Sequence, residues 1–342
     1  MRSLLDTTLL CVLASLLLAS NSYAETKKTL QIYFVDVEGG QATLLVAPSG
    51  QSLLVDTGWP GFNNRDADRI AEAVKSSGLT QIDYVLITHY HTDHVGGMPQ
   101  LLKQVRVSTF IDHGPNLEND ELAPEGYAAY LSSLGSVKHI VAKPGDGIPI
   151  EGIKVEVLAA AGARISQPVH GGGQANPYCA SEPKWPDDHT ENAASVGVLV
   201  TYGDFRFVDL GDLTKDKERG LVCPKNLIGT TDLFLVSHHG MGLSNSKALV
   251  HALHPRVAIM ENGAAKGDAP EAWQTVRDSP GLNDLWQLHY TAASGADHNV
   301  SKDTIANLEG DSDGHYLKVS AQSDGIFTVL NSRNKLERTY KK

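Results

Sequence analysis

The segment His89-Tyr-His91-Thr-Asp93-His94 puts three imidazoles and a carboxylate within six residues. Imidazole nitrogen and carboxylate oxygen are the donors a borderline-soft divalent ion such as zinc takes. In an extended or turning backbone His89 and His91 can point the same way, while Asp93 and His94 face a neighbouring point. That arrangement suits two metal ions roughly 3.5–4 Å apart. Such a pair ionises water near neutral pH, so the chemistry expected is metal-assisted hydrolysis. Asp93 is the natural group to orient that water and pass its proton to a leaving group.

A surface loop that is histidine-rich by accident is the bland alternative, and the preceding residues argue against it. The run 82–88 is almost continuously apolar, as expected of a strand covered by helices on both faces, and it ends on His89. Before it, 30–36, 42–46 and 52–55 read as short strands separated by Gly and Pro, and 66–77 reads as a helix. The second half repeats the style, with strands at 195–201, 205–209, 232–237 and 256–260 and helices near Lys215, Lys247 and Pro270. An α/β fold of two sheets packed face to face, with helices outside, accommodates this order. Between Ala159 and Asp188 the chain is rich in Gly, Pro and Asn and has no periodicity, so an inserted loop is expected around 159–190.

Composition bounds the answer further. With 342 residues, 41% hydrophobic and 20% charged, the chain is globular rather than disordered or collagen-like. Arg2, an apolar stretch from Leu9 to Leu18 and the small-x-small site Ser22-Tyr23-Ala24 read as a secretory signal over 1–24, leaving 25–342 as one domain. The apolar stretch is too short for a membrane span, so a periplasmic or extracellular protein is expected. A net charge of −11 gives no general attraction for phosphate backbones, so nucleic acid is not favoured and a small-molecule substrate is expected. Cys11 falls in the leader, and Cys179 and Cys223, each within two residues of a proline in a loop, are expected to pair in an oxidising compartment.

His-x-His-x-Asp-His after a buried strand resembles the signature of the metallo-β-lactamase superfamily. Further along, Val35-Asp-Val-Glu-Gly-Gly-Gln41 followed by Leu53-Leu-Val-Asp56-Thr-Gly58 is similar to the opening of the hydrolase domain in bacterial DNA-uptake competence channel proteins. The resemblance covers residues 30 to 262 and implies a four-layer αββα sandwich with two Zn2+. It implies that Asp212, in the Gly-Asp after the 205–209 strand, bridges the metals. Gly-Asp also occurs at Asp146, Asp204, Asp268 and Asp311, so placement rather than the dipeptide selects Asp212. It implies one ligand from His238-His239-Gly240; His238 is preferred as nearer the strand, with His239 the alternative. Asp56 would buttress the histidine loop rather than bind metal. One further ligand is offered by His189 or Asn192. His189 is preferred because zinc on His89, His91 and Asp212 alone is one protein donor short. His170 is a weaker candidate, and His113, His139, His251, His254, His289, His298 and His315 have no ligand spacing.

In sum, the metal set is His89, His91, Asp93, His94, His189, Asp212 and His238. The resemblance separates reactions as well. Redox di-iron relatives place Glu where this chain has His91, and true β-lactamases lack the bridging Asp. These leave phosphodiesterase-, lactonase- or thioesterase-type hydrolysis, and the competence-like opening with His-His-Gly makes hydrolysis of phosphodiesters or related phosphate esters by a zinc-activated hydroxide the expectation. A lactonase, thioesterase or β-lactamase-like hydrolase is the near alternative. A metal-binding surface protein without turnover is the remote one.

Overall fold

The computed structural model describes residues 28–118, 124–311 and 313–342, so the expected leader lies outside the described residues. Period-two alternation sorts the strand residues into layers, because successive side chains of a strand point to opposite faces. From Leu30–Phe34, the side chains of Leu30, Ile32 and Phe34 enter a core shared by both sheets, and Tyr33 enters a second core under the helices of its own sheet. From Phe205–Asp209, Phe205 and Phe207 enter the shared core, and Val208 enters a third core under the helices of the other sheet. Helix Arg65–Ser76 covers the first sheet with Ala67, Ile70, Ala73 and Val74, one apolar stripe of a 3.6-residue repeat. Helices Lys215–Val222, Lys247–Leu253 and Pro270–Arg277 cover the second sheet. The result is the expected four-layer αββα sandwich of two nine-stranded sheets.

The topology brings the chemistry to one edge. Ser52–Val55, Ile82–Leu86 and Val107–Asp112 are parallel neighbours in the first sheet. Phe205–Asp209, Leu233–Leu235, Val257–Met260 and Asp284–His289 are parallel neighbours in the second. The crevice beyond the carboxyl ends of parallel strands is where open α/β sheets bind ligands. Asp56, His89, Asp212, His238 and Glu261 all follow such ends within a few residues.

Two features depart from the sequence expectation. The 159–190 stretch is not without structure: Ala163–Arg164 folds back on Lys154–Ala160, and Gln174–Ala175 pairs with Lys225–Asn226. Asn176 donates to the carbonyls of Val222 and Ala248, both at 3.0 Å, and Cys179 is bonded to Cys223 with Cα atoms 5.7 Å apart. Polar and covalent ties order this segment, and they leave no apolar period to read. The second departure is the set of antiparallel strands Leu317–Ala321, Phe327–Asn331 and Glu337–Tyr340, which extend the first sheet beside Leu30–Phe34.

Phe34 and Phe207 meet edge to face across the shared core at 5.9 Å. Phe207→Ala is expected to lower the unfolding free energy by about 3–5 kcal/mol, measured by denaturant titration. A loss below about 1 kcal/mol would show that the sheets do not depend on this contact.

Candidate metal centre

The turn after Ile82–Leu86 delivers the histidine motif. His89 and His94 are wholly buried, Asp93 nearly so, and His91 lies at the rim. Asp212 arrives from the second sheet, with its Oδ2 3.8 Å from His89 Nε2, 3.3 Å from His94 Nε2 and 3.3 Å from His238 Nε2. His239 Nε2 stands 3.1 Å from Asp93 Oδ2 and 3.6 Å from Asp212 Oδ1. Asp93, His94, Asp212 and His239 each offer a donor atom, and these atoms lie within 4.8 Å of one another.

His238 and His239 reach their positions through an uncommon backbone. Both have left-handed φ, 55° and 54°, at a cost of about 1–3 kcal/mol each for residues with a Cβ. The turn is held by His238 N donating to Gly211 O at 3.0 Å and by Asn245, whose side chain bonds both N and O of Ser237. It splays the two rings to centroids 6.2 Å apart, so each faces a different part of the cluster.

Neighbouring groups assign the tautomers. Asp56 accepts from Thr88 N and Thr88 Oγ1 at 2.8 and 2.7 Å, and its Oδ2 faces His94 Nδ1 at 2.7 Å. His94 therefore carries its proton on Nδ1 and aims the Nε2 lone pair inward. Thr88 Oγ1, its own proton committed to Asp56, accepts from His89 Nδ1 at 3.1 Å. His239 Nδ1 donates to Glu261 O at 3.2 Å, and His238 Nδ1 faces Ser244 Oγ at 3.3 Å. His91 is reversed: Nε2 faces Glu118 at 3.3 Å and Nδ1 faces His89 Nε2 at 3.0 Å. Nε2 of His94 and of His239 thus face each other at 3.1 Å, an approach that a proton or a cation between them must relieve. Asp212 Oδ1 is buried without a hydrogen-bond partner. Nitrogen and oxygen donors converging in this way fit a divalent metal.

The electrostatics agree. Burial would push the His94 pKa down, but the carboxylates of Asp212, Asp93 and Asp56 hold it well above the usual imidazole range. Burial likewise opposes charge on Asp212, yet His238, His94 and His239 hold its carboxyl well below the ordinary value. The cluster demands positive charge, which a metal supplies in place of protons. Behind it, burial raises Asp209 to about 7 and, with repulsion from Asp209, raises Glu261 well above its usual value. Gln41 donates to Asp209 at 2.9 Å and Thr43 to Glu261 at 3.0 Å.

The structure brings together His89, His91, Asp93, His94, Asp212, His238 and His239, with Asp56 behind them. It does not bring in His189, which is 79% exposed and faces Asp187 at 3.3 Å. The irregular residues before Glu191–Ala194 leave the His189 side chain in solvent beside Asp187, and the imidazole that stands 3.3 Å from Asp212 Oδ2 is that of His238. Asn192 is buried with Oδ1 unpartnered, and His170 is exposed. His289, which has no ligand spacing in the sequence, is buried and bound to Asp36 at 2.6 Å. Sequence reading missed Thr88, Glu118, Ser244 and Lys266, the last in contact with Asp93 Oδ2. Only Thr88 left a signal, as a hydroxyl at the strand end beside His89.

Residues 35–240 match the model of the metallo-beta-lactamase superfamily. ComE operon protein 3 of Bacillus subtilis is 23% identical over 68% of this chain and 28% of its own length. Recombination protein 2 of Haemophilus influenzae is 24% identical over 70% of this chain and 25% of its own. Hydroxyacylglutathione hydrolase of Methylobacillus flagellatus is 32% identical over 32% of this chain and 44% of its own. The matched part thus spans less than half the length of each of these relatives. Among solved structures, the metallo-beta-lactamase fold protein YhfI of Bacillus subtilis covers 75% of this chain and 95% of its own at 13% identity, TM-score 0.45.

Asp56→Asn keeps the size of the side chain and tolerates the left-handed φ of 60° at this position. It removes the carboxylate that sets the His94 tautomer. Metal affinity is expected to fall about 10–100-fold in competition with a chromogenic chelator, with circular dichroism unchanged. Unaltered affinity would mean that Asp56 does not orient His94.

Proposed function

This chain belongs to the metallo-beta-lactamase superfamily, and from that premise we propose that it is a secreted two-zinc hydrolase of phosphodiesters or related phosphate esters. The coarser statement, a metal-dependent hydrolase, rests on family membership and the donor cluster. The observation that supports the finer one is the His238-His239-Gly240 turn, whose two left-handed residues set one imidazole against Asp212 and the other against Asp93. His89, His91, Asp212 and His238 would hold one ion, and Asp93, His94, Asp212 and His239 the other. Bound there, zinc supplies an ionised water near neutral pH and positive charge against the developing oxyanion.

The protein's own groups do the rest. Burial opposes charge on Asp93, but His94, His239 and Lys266 hold its carboxyl well below the usual range, so it stays a carboxylate that can accept a hydrogen bond from a water and orient it. Asp56 and Thr88 lock His94 and His89 so that neither ring can turn during turnover. The competence-like opening over Val35 to Gly58 and the His-His-Gly turn favour phosphate esters within the superfamily. The Cys179–Cys223 bond suits an oxidising compartment and so supports secretion. A second reading, hydrolysis of a small acyl compound, draws on the relative named hydroxyacylglutathione hydrolase.

Elemental analysis of protein expressed with zinc is expected to give about two ions per chain; a metal-free product would end this reading. The zinc-loaded protein is expected to cleave bis(p-nitrophenyl) phosphate in preference to lactone, thioester and cephalosporin substrates, and a reversed order would favour the second reading. Asp93→Ala is expected to reduce kcat by about 10²–10⁴-fold with the fold retained by circular dichroism. Near-normal turnover would remove Asp93 from proton transfer.

A further inference from the structure

We propose that Lys266 binds an anionic oxygen of the substrate at the mouth of the metal centre and so selects phosphate esters over uncharged carbonyl compounds. The inference rests on the hydrolase reading above and adds to it a recognition group that no ligand role accounts for. Lys266 Nζ contacts Asp93 Oδ2, the oxygen that also lies 3.2 Å from His94 Nε2 and 3.1 Å from His239 Nε2. The ammonium also stands 5.0 Å from the centroid of the Trp59 ring, within cation–π range. Its side chain is 30% exposed, so solvent and substrate can reach it.

The loop that carries it is built to hold it still. After Val257–Met260, Gly263 N donates to Lys266 O at 2.8 Å and closes a tight turn. Asp268 N then donates to His239 O at 3.0 Å and Ala269 N to Gly240 O at 2.8 Å, which ties the loop to the histidine doublet. On its other side lies the turn at Glu38. A Cβ on Gly39 would come 2.9 Å from Lys266 Cβ, and one on Gly263 would come 2.6 Å from the Glu38 carbonyl, so the two turns can pack only as glycines. One residue on, a Cβ at Gly40 would meet Asp93 O at 2.3 Å. The sequence motif around Gly39 therefore positions both Asp93 and Lys266.

A lysine fixed beside a centre that takes divalent cations needs an anion to share. Asp93 is that anion while its oxygen is free, and a phosphodiester brings its own charge when Asp93 is engaged by metal. Lysine acts on phosphate as a point charge through three donors. A lactone or thioester carbonyl offers it no charge to bind.

The test uses the zinc-loaded full-length protein with Lys266→Met, which keeps the stem and removes the charge, and Lys266→Arg, which restores charge. Inorganic phosphate is titrated calorimetrically, zinc content is measured in parallel, and KM for bis(p-nitrophenyl) phosphate is determined. In Lys266→Met the phosphate dissociation constant and KM are expected to rise about tenfold or more at unchanged zinc content, with substantial recovery in Lys266→Arg. Equal phosphate affinity in wild type and Lys266→Met would overturn the proposal. Loss of zinc from Lys266→Met would overturn it too, because Lys266 would then act by placing Asp93. If the wild type cleaves no phosphate ester yet binds phosphate through Lys266, the proposed reaction fails while the anion site stands.

Discussion

Lone pairs on five imidazoles and the charges of two carboxylates cannot be gathered in a dry pocket unless positive charge stands among them. Every neighbouring layer of the molecule answers to that constraint. The inner rings are held by outward hydrogen bonds to Asp56, Thr88, Ser244 and Glu261, so that mutual repulsion does not rotate them away. Asp56, Thr88 and Glu261 sit just past strand ends from both sheets, and the sheets are clamped by the shared core of Phe34, Phe207, Trp286 and their neighbours. Packing that lies well away from the metal thus supplies the stiffness that ligand geometry needs.

The second layer is tuned as well as rigid. Asp209 and Glu261 are buried acids raised above their ordinary pKa values, so they serve hydrogen bonding and carry less negative charge behind the site than exposed carboxylates would. Charged forms there would compete with Asp93 and Asp212 for the same cations. The arrangement separates carboxyls by role: those facing inward are kept ionised by imidazoles, and those facing the core are held back by desolvation.

How far the sequence disclosed this depended on distance along the chain. The histidine motif is contiguous and follows an apolar strand, so its donors could be recognised from six residues. The layered fold was legible because short apolar strands such as 30–36 and 205–209 alternate with helices in an order that two packed sheets accommodate. His189 misled because spacing before a Gly-Asp says nothing about which way an irregular segment turns, and this one turns towards Asp187. Both members of the His238-His239 pair face the cluster because of two successive left-handed residues, a conformation that residue types alone do not announce. Lys266 was invisible, since it meets Asp93 from 173 positions away through a loop with no pattern of its own.

The same doublet restricts how this protein can drift. Left-handed backbone is most comfortable for glycine and then for asparagine or aspartate, so substitutions that relax the turn are at hand at positions 238 and 239 and each discards an inward nitrogen. Selection for robustness and selection for metal retention therefore pull in opposite directions at these two codons. A lineage freed from its reaction should show its release there first, as a sturdier and emptier scaffold.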